Sequence, residues 1–174
     1  MDKLLCHQRR RGRGYSCRSR RSCDHIGAVS ELRNLSENGI AIHTEDADCL
    51  VDANRNLSAF MGASVELTSA DKKLSEGDIL KVGNMNVRVI HTPGHTLGGI
   101  CLHVTEGEEE VLISGDTLFA RSIGRSDLPG GNEDVLIDSL KKLSDLPEKI
   151  RVFPGHGPET TIGAEKLYNP YWPR

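Results

Sequence analysis

The chain has 174 residues, 37% of them hydrophobic, and a mean hydropathy of -0.40. That is one domain's length and an ordinary globular composition. No apolar run approaches the roughly 18 residues of a membrane span, and Met1–Leu5 does not open a secretory signal.

The net charge of -3 is unevenly spread: residues 1–22 carry eight basic residues and one acid, about +7, leaving about -10 on the remainder. Five cysteines, Cys6, Cys17, Cys23, Cys49 and Cys101, are odd in number and irregular in spacing. They argue against a disulfide framework and for a reducing compartment, hence a cytoplasmic protein.

Residues 1–22 are rich in Arg, Gly and Ser and show no hydrophobic period. They are expected to be disordered and outside the fold, with the domain running from 23 to 174. Ile26, Val29, Leu32 and Leu35 recur with a helical period that Asn38-Gly39 closes. Ile40–His43 reads as a short strand, and Thr44 as the cap of a second helix reaching Leu50 and Val51. Residues 52–64 read as a loop or lid.

The period then changes to two. Ile79–Val82, the turn Gly83-Asn84 and Val87–Ile90 form a predicted hairpin. Ile100–Val104 and Val111–Ser114 follow, joined by acidic Glu106–Glu110. Val135, Leu136, Leu140 and Leu143 mark a helix, Ile150–Phe153 a last strand, and Ile162–Leu167 a final helix. Strands that first mix with helices and then cluster suit an α/β (α+β) sandwich.

Three stretches carry the chemistry: His91-Thr92-Pro93-Gly94-His95-Thr96, Ser114-Gly115-Asp116-Thr117 and Phe153-Pro154-Gly155-His156-Gly157. Each follows a strand-like run and places a His or Asp in a Gly-rich turn. Imidazoles and a carboxylate presented in this way can converge on a metal ion. An Asp at the end of an apolar strand is costly unless paired or metal-bound. His43 and His103 read as ordinary strand residues, and His91 as a residue that orients its turn.

With Asp24-His25-Ile26-Gly27 upstream, these stretches resemble the metallo-β-lactamase fold, and within it the short hydrolases similar to glyoxalase II (hydroxyacylglutathione hydrolase). Ile123–Gly131 and Thr160–Tyr171 also resemble that subgroup. The resemblance implies an αββα sandwich, here incomplete at its N-terminal sheet. It implies a metal set of Asp24, His25, His95, Asp116 and His156, with Asp116 bridging two sites and Asp24 and Asp116 catalytic. One site is then complete as Asp24, His25, Asp116 and His156, while the other keeps His95 and Asp116.

The family's opening His-x-His-x-Asp-His motif would fall on Arg20-Arg21-Ser22-Cys23-Asp24-His25. Arg20 and Ser22 thus stand where two ligands are expected, and arginine stays protonated and cannot ligate. A resemblance that stops at one residue, behind an Arg-rich stretch, points to altered coding of residues 1–23. The family's first strands and the helical glutathione-binding region that follows in full glyoxalase II enzymes have no counterpart here.

The implied function is metal-dependent hydrolysis of a small-molecule thioester or related acyl substrate by metal-bound hydroxide, impaired by the lost ligands. Zinc is expected at one site, with iron or manganese as alternatives. The competing readings are a non-catalytic metal-binding remnant and, less favoured, a nucleic-acid-associated protein using its Arg-rich arm. No membrane partner is expected.

Overall fold

The computed structural model describes residues 26, 28–33, 39–62 and 64–173. Residues 1–25, with the basic segment, Arg20, Ser22, Asp24 and His25, lie outside the described residues. The chain divides into two compact units, Met1–Lys73 and Leu74–Arg174.

The first unit holds a short helix, α1 (Val29–Arg33), within the expected helical stretch. Strand β1 (Ala41–His43) pairs with β2 (Lys72–Leu74), a strand too short for its period to show in the sequence. The Asp71 carboxylate accepts from Ile40 N at 2.8 Å and from Arg33 Nη2 at 2.5 Å. The Ile40 amide bond, then the Arg33 bond, hold its pKa below the usual carboxylate range.

The segment after β1 is a 3₁₀ helix, Thr44–Leu50, and its cap corrects the sequence reading. His43 rather than Thr44 is the N-cap: its Nδ1 accepts from Glu45 N at 3.3 Å. Buried Asn56 organises the loop beyond, donating to Cys49 O and Val65 O and accepting from Ser58 N.

The second unit is built on a six-stranded sheet in the order β10-β9-β6-β5-β4-β3. Its members are β3 (Ile79–Val82), β4 (Met85–His91), β5 (Ile100–Glu106), β6 (Glu109–Gly115), β9 (Arg151–Pro154) and β10 (Thr160–Thr161). The pairs β3–β4, β4–β5 and β5–β6 are antiparallel, whereas β6 and β9 are parallel. A parallel pair needs a crossover, which here contains helix α2 (Glu133–Leu143).

The expected Gly83-Asn84 turn is present, Val82 pairing with Met85. The acidic stretch expected to join β5 and β6 is instead mostly strand. Glu106 pairs with Glu109, leaving Gly107-Glu108 as a two-residue turn. Such a turn needs positive φ, and Gly107 supplies +60°.

Asn132 caps α2 by accepting from Val135 N at 3.1 Å, with Glu133 and Asp134 in the first turn and Lys141 and Lys142 in the last. Leu136, Leu140 and Leu143 are fully buried. Their spacing of four and three residues places them on one helix face. Val135, expected with them, points outward at 39% exposed. The leucines pack into the same core as Ile90, Cys101, Leu112, Val152 and Trp172.

In this unit three strands exceed the sequence reading: β7 (Leu118–Phe119) and β8 (Ser122–Ile123), which form a hairpin, and β10, which follows the strand expected to be last. Helix α3 (Ile162–Tyr168) ends the fold, capped by Thr161, whose hydroxyl accepts from Ala164 N. No helix among the described residues is long and apolar enough to cross a membrane.

Candidate metal centre

His95, Asp116 and His156 come from three separate connections, each leaving one end of the central strands. His95 lies between β4 and β5, Asp116 directly after β6, and His156 directly after β9. β6 is the shared neighbour of β5 and β9. Strand order therefore brings residues far apart in sequence to the same sheet end.

The His95 loop is held from several directions. Thr92 N donates to Gly99 O at 2.8 Å. His91 Nε2 lies 2.9 Å from Leu97 O. A carbonyl only accepts, so that nitrogen carries the proton and His91 orients the turn, as its position suggested. Helix α2 clamps the other side: Ser139 Oγ donates to Pro93 O at 2.7 Å and Asn132 N to Gly94 O at 2.8 Å. Gly94 has φ +128°, and a Cβ there would collide with the Leu136 backbone. Only glycine meets both conditions.

Beneath the loops runs a buried hydroxyl network. Thr92 and Thr117 share a hydrogen bond at 2.7 Å, and Ser114 Oγ donates to Leu118 O at 2.7 Å. Cys101 lies against it, 3.5 Å from Thr92 Oγ1. Burial pushes the Cys101 thiol up to about 11, against the opposing hydrogen bonds of Thr92 and Thr117. At neutral pH it is a protonated thiol, and the thiolate is the form that ligates metal or attacks carbon.

The three side chains meet at one carboxylate oxygen. Asp116 Oδ2 lies 3.6 Å from His95 Nε2 and 3.6 Å from His156 Nε2. Asp116 and His95 side chains are each 14% exposed and His156 43%. On the far side of its ring, His95 Nδ1 lies 2.7 Å from Arg125 O. That carbonyl can only accept, so Nδ1 holds a proton, and the lone pair of the neutral tautomer is the one on Nε2, the nitrogen that faces Asp116. A lone pair facing a carboxylate oxygen is repelled unless a proton or a cation lies between them.

The separation suits a cation. Zinc–nitrogen and zinc–oxygen contacts are about 2.0–2.2 Å, so two donors to one ion stand at most about 4.3 Å apart. A backbone carbonyl that fixes the ligand's tautomer is the usual outer support of a metal-bound histidine. Among the described residues, no three or more His, Cys, Asp or Glu side chains form a group that could hold an ion. His95–Asp116 and Asp116–His156 are instead two partial sets sharing one oxygen. Asp24 and His25 lie outside the described residues.

Residues to which the sequence assigned no role at the site, some of them within the family-like stretch Ile123–Gly131, support the three. Gly124 follows β8, and a Cβ there would overlap the Asp116 carbonyl oxygen and sit 3.4 Å from His95 Cβ. Arg125 contributes its carbonyl, while its guanidinium forms a two-pronged pair with Asp127, at 2.7 Å for each contact. That pairing holds the Asp127 carboxyl down at about 2. Phe119 meets the His156 ring edge-on, with centroids 6.1 Å apart. A carbonyl and a close approach leave no residue signature beyond a glycine.

The sequence model of the Metallo-beta-lactamase superfamily matches residues 23–156. Hydroxyacylglutathione hydrolase GloC of Haemophilus influenzae is 35% identical over 153 residues, spanning 85% of this chain and 70% of its own. Among solved structures, BLEG-1 B3 metallo-beta-lactamase superposes with a TM-score of 0.78 at 40% identity, covering 85% of this chain and 71% of that one. TTHA1623, solved in a di-iron-bound form, gives 0.71 at 35% identity, with 85% and 72% covered. The match across the candidate metal residues, with the fold that carries them, shows that this chain belongs to the metallo-β-lactamase superfamily.

Proposed function

We propose that this chain is a metal-dependent hydrolase of thioester or related acyl substrates, with a metal set of His95, Asp116, His156, Asp24 and His25. The observation that carries the reading is the pair of imidazole Nε2 atoms 3.6 Å from the same Asp116 oxygen. The fixed His95 tautomer supports it. The names of relatives add to it: one is a hydroxyacylglutathione hydrolase and another a probable metallo-hydrolase of Bacillus subtilis. The di-iron form of TTHA1623 keeps iron beside zinc as the candidate metal.

A bound metal supplies Lewis-acid polarisation of the acyl carbonyl and lowers the pKa of water from about 15.7 toward 7. The residues do the rest. His95 keeps its Nδ1 proton, donated to the Arg125 carbonyl oxygen, and offers Nε2. Asp116 offers one oxygen toward both imidazoles. Phe119 packs apolar surface against His156 and limits the directions the ring can take. Asp24 orients the attacking water. Cys101 is protonated and buried, so it is not the nucleophile.

Arg20 and Ser22 in place of two ligands reduce metal affinity and turnover in this reading. A cytoplasmic small-molecule enzyme fits the cysteine content and the acidic domain. Elemental analysis of the purified full chain, with hydrolysis of S-lactoylglutathione followed with and without EDTA, tests it. About one tightly held metal per chain and slow, EDTA-sensitive hydrolysis are expected. Two tightly held metals would refute the ligand loss. A metal-loaded chain that hydrolyses no thioester would leave a metal-binding remnant instead.

A further inference from the structure

We infer that Glu165, buried in α3, is a positioning residue for the candidate metal centre and acts through the β7–β8 hairpin. The inference rests on the metal-centre reading above. Glu165 is 1% exposed, and both its oxygens are engaged. Oε2 accepts from Arg121 N at 2.8 Å and from Asn169 Nδ2 at 2.8 Å, and Oε1 accepts from Thr160 Oγ1 at 2.6 Å. All three donors are neutral. A carboxylate buried among neutral donors is a poor way to pack a helix, because an apolar side chain of similar size avoids the desolvation cost. What Glu165 holds explains it better than what it fills.

It holds the tip of the hairpin. Arg121 lies in the turn between β7 and β8 with φ +60°, a backbone region that residues bearing a Cβ avoid. Its amide is the group that Glu165 receives. Asn169, oriented by Glu165, donates from the same Nδ2 to Ser122 O at 3.0 Å. Two successive hairpin residues are thereby tied to the end of α3.

This hairpin, with Gly124 and Arg125 directly after it, adjoins every member of the centre in the second unit. It begins just after Asp116 and is followed by Gly124, whose N donates to Thr117 O at 3.4 Å. The next carbonyl, on Arg125, receives His95 Nδ1. Phe119, at the end of β7, packs on His156. Releasing the tip therefore frees the backbone acceptor of one imidazole and the aromatic neighbour of the other. A metal ligand that loses its outer support commonly loses about 10–100-fold in metal affinity.

The test compares the full chain with Glu165→Ala, Glu165→Gln and the core control Val87→Ala, which truncates a fully buried β4 residue. Imidazole ¹⁵N NMR of the metal-free proteins reads the rings directly, and cobalt(II) titration followed by visible absorption reads affinity. Glu165→Ala should shift the His95 and His156 ring signals and weaken cobalt binding about 10–100-fold. Glu165→Gln should restore both. Its amide oxygen can accept from Arg121 N and Asn169 Nδ2 while its NH₂ donates to Thr160 Oγ1. Val87→Ala should lower Tm and leave the ring signals in place.

A folded Glu165→Ala with wild-type ring signals and cobalt affinity overturns the inference. So does Val87→Ala moving the same signals. Should Glu165→Ala not fold, Asn169→Ala, which removes the bond to Ser122 O, is read by the same criteria. If the wild-type chain takes up no cobalt, the metal-centre reading fails, and the ring signals alone decide the positioning role.

Discussion

The two imidazoles that meet at Asp116 are held in opposite ways. His95 is enclosed: its side chain is 14% exposed, its Nδ1 is 2.7 Å from a backbone carbonyl, and its loop is clamped by α2. His156 stands at the rim, 43% exposed, in a Gly155–Gly157 turn with an aromatic edge against it. The difference teaches where precision resides. The His95 side is fixed by backbone that cannot move without disturbing the core, and the His156 side by side-chain packing that can adjust.

The largest expected effect removes what the two sides share. Asp116→Asn keeps the shape and takes away the charge that both imidazoles face. Cobalt(II) binding should weaken by at least about 100-fold, since one substitution removes an anionic donor from both partial sets. An affinity within threefold of wild type would mean that the two histidines do not share this carboxylate as a ligand.

A pair of glycine substitutions separates the sides. Gly124→Ala would drive a Cβ into the Asp116 carbonyl oxygen, and backbone cannot yield as a flexible side chain does. A cost of about 1–3 kcal/mol is expected from overpacking, with a shift of the His95 ring signal. Gly157 has φ +84° and open space where a Cβ would stand. Gly157→Ala should cost only the left-handed backbone penalty, about 1–2 kcal/mol, and leave His95 unmoved. Chemical denaturation with imidazole NMR measures both. An equal disturbance of His95 by the two variants would dissolve the contrast.

What was legible in the sequence follows the same division. His95, Asp116 and His156 could be found because each sits among glycines and prolines at a strand end, a pattern that side chains spell out. The central strands showed through their alternation, and α2 through Leu136, Leu140 and Leu143. Val135 fitted the helical period and still faces outward, because the apolar face is narrower than the run of apolar residues. The β7–β8 hairpin has two residues in each strand, too few for any period. The supports of the site were hidden for a different reason. Arg125 acts through its carbonyl, which every residue possesses, and Glu165 draws its meaning from donors on Arg121, Thr160 and Asn169. His43 passed for an ordinary strand residue because capping by imidazole has no distinct spacing.

A smaller effect is expected on the adjustable side. Phe119→Leu keeps an apolar body against His156 and loses the edge-on ring contact. Aromatic edge contacts are worth about 0.5–1.5 kcal/mol beyond the area they cover. Cobalt affinity should fall no more than about tenfold, the equivalent of 1.4 kcal/mol. The His156 ring signal should broaden or shift while that of His95 holds. Movement of His95 would show that the hairpin transmits strain between the two sides.

The smallest effect probes whether Arg125 acts on His95 through its side chain as well as its carbonyl. The Asp127 carboxyl is held at about 2 chiefly by the Arg125 hydrogen bonds. The pair is exposed, so its contribution to stability is screened by water. The folded pKa is depressed below the unfolded value of about 3.9. Whatever stability the pair adds is thus present above the unfolded pKa and lost as pH falls from about 4 toward 2. Asp127→Asn should leave unfolding at pH 7 almost unchanged and flatten the acid limb in that window. The His95 Nδ1–H signal should stay in place, because the loop is also tied by Gly131 N donating to Leu128 O and by the close approach of Gly124 to Asp116. A shifted His95 signal in a chain of unchanged stability would show that the guanidinium–carboxylate pair, and not the backbone alone, sets the direction of the imidazole.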